Sequence, residues 1–544
     1  MKNLLLFILI LLIIFGGVYF LLFRDVESDE TSTLYDEQRL IYQGDLQPLE
    51  YSSVVNGQVY LAFDFIKENL DDTIHFDETD STVVITTENN VRRYQLDSLE
   101  GTNNDVAVNL RSPVTEMNGQ IMLPIEAFVY DYPVDVKNLS EEKVVTIDRT
   151  DTEYMTAKVT VNTTYLREEA NSDSPIVEIL SEDDEVYVYG ETEQWYKVRK
   201  IEGKAGYIRK RHLELSYELE GFSKTKEETQ EVSRRDEKIN LVWDYTAVRS
   251  SNEVDDLVGV NVISPTWFSL NEDLSISDRS NIEYVNRSKS YGMEVWPMFD
   301  NNFEERLTEN ALSTSSNRQQ IIAQVLDICK SIGVNGINVD FENINVQTRE
   351  NFSQFMRELY PLFKEAGMTV SVDVVPRIFS DVEKEPYDRN ALAKASDYIM
   401  LMAYDQHWGT SPVAGSVAEY SWVENNMNVL FRDIPMEKFV LCVPLYTRIW
   451  FDDGANVTSQ SVSMEVANEY IRNNNMETSW DDNAKQHYAS KQVGGSFVQI
   501  WLEDADSLRE KASLVSKYDL AGVSSWRKGF ETSDVWPVIN STIQ

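Results

Sequence analysis

The sequence predicts a multidomain protein. A C-terminal eight-fold strand–helix barrel is preceded by a small β barrel, an α+β tandem-repeat domain and one N-terminal transmembrane helix. Three observations carry this expectation. Leu4 to Phe23 is a run of 20 residues without a charge. A six-residue motif recurs 62 residues apart, at positions 56–61 and 118–123. From Lys238 onward, short apolar runs alternate with stretches of helical spacing. A length of 544 residues suits three or four domains, at roughly 150 residues each.

The first element is defined by its flanks. Lys2 and Arg24 bracket Leu4–Phe23, and at about 1.5 Å per residue such a helix spans the roughly 30 Å hydrocarbon core. A cleaved signal peptide would have a shorter apolar stretch and a small-residue cleavage site. The run instead ends Tyr19-Phe20-Leu21-Leu22-Phe23. The expectation is an uncleaved single-pass anchor at 4–23 and an acidic stalk at 24–48. The protein would then sit in the cell membrane as a single-pass protein with its large C-terminal body extracellular.

The repeat occupies 49–149. Asn56-Gly57-Gln58-Val59-Tyr60-Leu61 returns as Asn118-Gly119-Gln120-Ile121-Met122-Leu123. Asn-Gly between apolar runs is a hairpin signal, because both residues accept positive φ. Each copy continues into a short helical piece, Phe63–Leu70 and Ile125–Tyr130, and then into two strands. This pattern resembles the tandem domain named after the N-terminal region of copper amine oxidases. Residues 156–215 carry several short strands, and Tyr165-Leu166-Arg167-Glu168, Trp195-Tyr196-Lys197-Val198 and Gly206-Tyr207-Ile208 resemble a bacterial SH3-like domain, a module often bound to cell wall. Trp195 and Tyr196 are either a ligand platform or core residues of that small barrel. The charged stretch Glu218–Glu237 lacks strand periodicity and reads as a linker, over 216–237, or as a solvated helix.

Composition removes several function classes. With 49 Lys+Arg against 91 Asp+Glu, the net charge of −42 repels phosphate backbones, so no nucleic-acid partner is expected. Cys329 and Cys442 are the only cysteines, which excludes a disulfide scaffold and a Cys-rich zinc module. His75, His212, His407 and His487 lie far apart in sequence. Neither metal nor cofactor is expected.

Residues 238–544 are long enough for a barrel of about 250 residues. Strands are expected at Ile239–Asp244, Gly259–Ser264, Glu294–Phe299, Gly336–Glu342, Thr369–Val375, Tyr398–Tyr404, Phe439–Pro444 and Gly522–Trp526. Their continuous apolar runs suit strands covered on both faces. The fourth reads Asn335-Gly336-Ile337-Asn338-Val339-Asp340-Phe341-Glu342. Its period of two places Asn338, Asp340 and Glu342 on one face, toward the barrel interior, and Ile337, Val339 and Phe341 on the other. Buried carboxylates at a strand end are costly unless used or paired. The competing reading is acids satisfied by Arg or backbone groups.

Here the sequence resembles glycoside hydrolase family 18, the chitinase-like barrels. Their strand-four pattern, D-G-x-D-x-D-x-E, is matched at Gly336, Asp340 and Glu342, while Asn335 and Asn338 replace the first two acids. Met402-Ala403-Tyr404-Asp405 matches the family's M-x-Y-D, and Trp526 ends the eighth run where the family places a tryptophan under the sugar. Ser264-Pro265-Thr266-Trp267-Phe268, Tyr404–Trp408 and Pro444-Leu445-Tyr446 are most similar to the spore-cortex-lytic N-acetylglucosaminidase branch. Trp296-Pro297-Met298-Phe299-Asp300 stands where the family has a Gly-Gly motif, a departure that puts true chitinase specificity in question.

The resemblance implies roles. Glu342 is the general acid, its pKa raised by burial and by Asp340. Asp340 orients the substrate's own acetamido group, which acts as nucleophile in this family, and Tyr404 donates to its carbonyl side. Asn338, Asp405 and Trp526 are expected to bind substrate. Trp267, Trp408, Tyr446 and Trp450 are candidates for the groove wall, with core packing as the alternative for each; His407 either assists or is an exposed loop histidine. The implied function is hydrolysis of β-1,4 bonds at N-acetylglucosamine in peptidoglycan. The alternatives are a chitinase acting on chitin oligomers and a non-catalytic wall-glycan-binding protein.

Overall fold

Eight runs rich in Val, Ile, Leu and Met become eight parallel strands that close on themselves. In chain order they are β1 (Ile239–Asp244), β2 (Val262–Leu270), β3 (Met298–Asp300), β4 (Gly336–Asp340), β5 (Thr369–Val374), β6 (Tyr398–Met402), β7 (Phe439–Pro444) and β8 (Gly522–Trp526). Each pairs with the next, and β8 returns to β1 through Ile239↔Gly522. The computed structural model describes residues 27–221, 237–245 and 255–544.

Alternation along the strands divides the apolar residues into two buried groups. Ile337 and Val339 of β4, Val370 and Val372 of β5, and Leu441 of β7 face the surrounding helices. Leu241, Trp243, Met298, Met400 and Cys442 fill the barrel interior. Among the helices are α1 (Ser315–Ile332), which ends on Gly333 in the left-handed region at φ 67°, and α2 (Arg349–Glu365). Both cysteines are buried and free. Between β7 and β8 the chain adds a five-stranded antiparallel sheet (446–502) with a helix at Met464–Asn473. That insertion was not anticipated from sequence.

The SH3-like region forms one seven-stranded antiparallel sheet around Ala157, Val159, Leu166, Leu180, Val186, Val198 and Ile208. Trp195 is buried, with the Arg209 guanidinium 4.8 Å from its ring centre, so it packs as a core residue. In the tandem domain both Asn-Gly turns adopt positive φ, at 52° and 80° in the first copy and 53° and 80° in the second. The strands that follow pair antiparallel with one another, Leu61 opposite Leu123. That register places repeat-equivalent positions face to face, giving a local two-fold axis.

Two expectations need correction, and a third falls mostly outside the described residues. The fold class included a membrane-spanning helix, but among the described residues no helix is long and apolar enough to cross a membrane; Leu4–Phe23 itself lies outside the described residues. The stalk expected at 24–48 contains strand Arg39–Tyr42, which pairs in parallel with Val144–Arg149 of the repeat domain. Its Leu40 and Ile41 are buried, so the short apolar run is sheet rather than spacer. Most of the expected linker, residues 222–236, lies outside the described residues.

Part of the tandem domain belongs to the barrel's own compact unit, namely residues 75–93 and 102–107. Val84 and Val91 join the barrel's outer apolar cluster. Beside them Glu358 of α2 accepts from Arg93 at 3.0 Å and from Arg318 of α1 at 2.9 Å. Arg318 and Glu358 are fully buried and Arg93 is 5% exposed.

Candidate active site

At the C-terminal ends of the strands a cleft of about 550 Å³ opens, lined by Asp340, Glu342, Asp373, Tyr404, Asp405 and Trp526 among others. This is within the usual range for small-ligand sites. A larger hollow of about 1190 Å³ lies at the opposite end, where Ile239 and Tyr398 begin their strands. The carboxylate cluster at the first end makes it the candidate.

Glu342 lies two residues past the end of β4, and its backbone is fixed by one side chain. Asn301, fully buried after β3, accepts from the Glu342 N–H at 3.0 Å and donates to the Glu342 carbonyl at 2.6 Å. Its amide also donates to Thr308 Oγ1 at 2.7 Å. The next residue, Asn343, takes φ 54°, turning the chain away at the cleft edge. Asn301 was not singled out from sequence, because an Asn after a strand carries no signature of what it will clamp. Asn301→Ala leaves two backbone groups of Glu342 without partners. It should cost about 1–3 kcal/mol of stability and roughly tenfold or more in kcat by misplacing the carboxyl. Denaturation and initial rates measure these; unchanged values for both would show that the clamp is dispensable.

Burial pushes the Glu342 carboxyl up to about 7, with the Asp405 charge adding to the shift. The repulsive neighbour expected from sequence was Asp340. Its ionisation is itself suppressed, by deeper burial first and then by Glu342, Asp373 and Asp300. Asp300, at the end of β3, is also raised by burial; it accepts from Ser269 Oγ at 3.0 Å. Asp373 of β5 is raised by burial, against the opposing hydrogen bond from Asn338. Asp300 and Asp373 were both missed from sequence, since Met298-Phe299-Asp300 and Val372-Asp373-Val374 contain only one acid each.

Tyr404 and Tyr446 meet edge to face, ring centres 6.4 Å apart. Tyr446 donates to Asp405 Oδ1 at 2.6 Å, and Arg448 donates to the same oxygen at 2.8 Å. Trp526 packs against Trp243 at 6.0 Å. Glu342, Asp340, Tyr404, Asp405, Tyr446 and Trp526 therefore share one cleft.

Other candidates lie elsewhere. Asn338 is fully buried beneath the cleft: its Oδ1 accepts from Trp243 Nε1 at 2.8 Å, and its Nδ2 donates to Asp373 Oδ1 at 2.8 Å and Ser371 Oγ at 3.1 Å. It supports side chains that line the site. Trp267 faces outward because its neighbour Thr266 faces the cleft; it is fully buried against Tyr284, 5.3 Å away. Trp408 is 53% exposed and donates to Thr410 Oγ1 away from the lining. Trp450 is buried and donates to the Gly415 carbonyl at 2.8 Å. His407 is held by the Ser416 carbonyl at 2.9 Å. Away from the cleft, ligand-type atoms of His487, Asp504 and Asp506 lie within 4.8 Å of one another. Asp504 Oδ1 caps the helix that follows and Oδ2 meets His487 at 2.7 Å, while Asp506 in the first turn pairs with Arg509 at 2.6 Å.

A closed parallel barrel with clustered buried carboxyls at its C-terminal mouth, one of them ionising near neutrality beside a Tyr and a Trp, defines a glycoside hydrolase. Residues 271–530 match the family described as Glycosyl hydrolases family 18. The barrel domain belongs to that family. Residues 42–147 match the Copper amine oxidase N-terminal domain, and 162–214 the Bacterial SH3 domain. The chain is 22% identical over 301 residues to an uncharacterized glycosylase, YvbX, of Bacillus subtilis (strain 168), covering 52% of this chain and 84% of that protein. It is 23% identical over 244 residues to the cortical fragment-lytic enzyme of the same organism, covering 44% of this chain but only 56% of the relative's length. The barrel fold is shared with a chitinase of Chromobacterium violaceum (TM-score 0.52, 20% identity, 56% of this chain, 99% of that one). It is also shared with the Bacillus cereus spore cortex-lytic enzyme SleL (TM-score 0.51, 20% identity, 56% and 75%).

Proposed function

We propose that the protein cleaves β-1,4 bonds at N-acetylglucosamine in peptidoglycan, outside the cytoplasmic membrane, by substrate-assisted retaining catalysis. The observation that carries this is the Glu342 carboxyl, held protonated up to about 7 at the mouth of the cleft. A glycosidic oxygen leaves poorly until it is protonated, and Glu342 supplies that proton. The substrate's 2-acetamido oxygen attacks the anomeric carbon and forms an oxazolinium-like intermediate. Asp340 accepts from the acetamido N–H, Tyr404 donates to its carbonyl oxygen, and Trp526 gives the sugar an apolar floor. Glu342, now ionised, takes a proton from the water that opens the intermediate. Peptidoglycan is favoured over chitin by the SH3-like module and by the relative named for cortical fragments.

Mass spectrometry of products from purified peptidoglycan and from chitin oligomers tests the reading. Fragments ending in reducing N-acetylglucosamine, from peptidoglycan in preference to chitin, are expected; efficient cutting of chitin alone would assign a chitinase. Because the acid must carry its proton, kcat/KM should fall as pH rises past about 7. A profile flat through that region would remove Glu342 from the acid's role.

A further inference from the structure

We infer that Asp340 and Asp373 hold a single proton between them, Asn338 fixing the geometry, so that Asp373 is the positioning partner that lets Asp340 work as a carboxylate. The inference rests on the proposed function only in assigning Asp340's task.

The register carries the argument. β4 and β5 pair in parallel with Asn338 opposite Ser371 and Val339 opposite Val372. One further step sets Asp340 beside Asp373 on neighbouring strands, which run about 4.8 Å apart. Both carboxyls face the cleft. Trp243 Nε1 occupies Asn338 Oδ1, which fixes the amide so that its Nδ2 reaches Asp373 Oδ1. Among the described residues, the other oxygen of Asp373, Oδ2, is buried without a hydrogen-bond partner, and so is Asp340 Oδ1.

Two orphaned acceptors in one buried place are costly. A proton on Asp373 Oδ2 turns it into a donor for Asp340 Oδ1 and satisfies both. Among the described residues, the charges acting on Asp340 are those of Glu342 just past the end of β4, Asp373 on β5 and Asp300 on β3, all negative. Glu342 acts on Asp373 in the same sense. The other titratable groups facing the pair among the described residues are Tyr387, Tyr404 and Cys442, each kept neutral by burial. Asp373 as the acid keeps Oδ1 for Asn338, and Asp340 keeps its second oxygen for substrate.

The test is the acid limb of the kcat/KM profile on a defined N-acetylglucosamine oligomer, for wild type, Asp373→Asn and Asp373→Leu. An amide can still donate to Asp340, so Asp373→Asn should hold the limb within about half a pH unit. Asp373→Leu removes the donor, so Asp340 protonates more readily. Its limb should rise by about one unit or more, a roughly tenfold loss on the acid side. A limb that falls in both variants would make Asp373 a second anion, and one unmoved in both would make it structural; either overturns the inference.

Infrared spectroscopy reads the proton without turnover. In a Glu342→Gln background at neutral pH, adding Asp373→Asn should remove one protonated-carboxyl C=O band, the one assigned to Asp373. An unchanged set of bands overturns the inference. Wild type inactive on every N-acetylglucosamine glycan would sink the proposed function instead, leaving the infrared result to stand alone.

Discussion

Replacing Glu342 with Gln is expected to lower kcat by about 10²–10⁴-fold, or roughly 3–5 kcal/mol of barrier, while leaving the fold and glycan binding in place. Glutamine is near-isosteric and lacks only the proton that departure of the leaving group requires. Stability should move the opposite way. The folded carboxyl ionises at about 7 rather than the ordinary 4.5. A carboxyl with a raised pKa contributes stability below its unfolded value and loses it as pH climbs through the folded one. Wild type should therefore lose up to roughly 3 kcal/mol between those two values, and the Gln variant should escape that loss. Initial rates paired with denaturation on either side of neutrality decide the matter. A variant that turns over at near wild-type rate would remove Glu342 and the mechanism built on it.

Glu358→Ala should cost about 3–5 kcal/mol, the range for breaking a buried ion pair from one side. The change strands the fully buried Arg318 guanidinium and leaves Arg93, at 5% exposure, with Asp105 at 3.1 Å as its remaining acid. Burial pushes the Glu358 carboxyl up, and Arg93 and Arg318 more than reverse it, so its pKa ends below the usual value. The pair's contribution is therefore present above the ordinary carboxylate pKa and lost as pH falls through the lowered one. Thermal unfolding of the whole chain measures it. A loss below about 1 kcal/mol would mean that the cluster sits on a region already loose in the native state.

The two effects mark what sequence reveals. The barrel strands were legible because strands covered on both faces need unbroken apolar runs, and six of the eight were placed to within two residues of the observed bounds. Asp340 and Glu342 were legible as cleft residues because an acid alternating with apolar residues has no cheap structural excuse, and Tyr404 because Met402-Ala403-Tyr404-Asp405 carries the family pattern. Asp373 and Asn301 were not, since each matters only through what a neighbouring strand brings beside it. Trp267 misled because a large aromatic at a strand end packs outward as readily as inward, and one residue of phase decides which. The coupling of residues 75–93 to α1 and α2 was also invisible, as Arg93 stands in an ordinary exposed-looking Val-Arg-Arg-Tyr strand.

That coupling bears on how the protein is made. Arg93 leaves the ribosome first, and its acid, Glu358, lies 265 residues later. At about 5–20 residues per second, the interval is roughly 13–53 s. The two-fold strand pairing about Leu61 and Leu123 can close early, whereas the neighbouring hairpin must wait with its barrel-facing valines uncovered. A pause or a premature stop between these points would release a nascent chain whose Arg93 has Asp105 but not Glu358, with a sticky apolar face that is a natural substrate for chaperones.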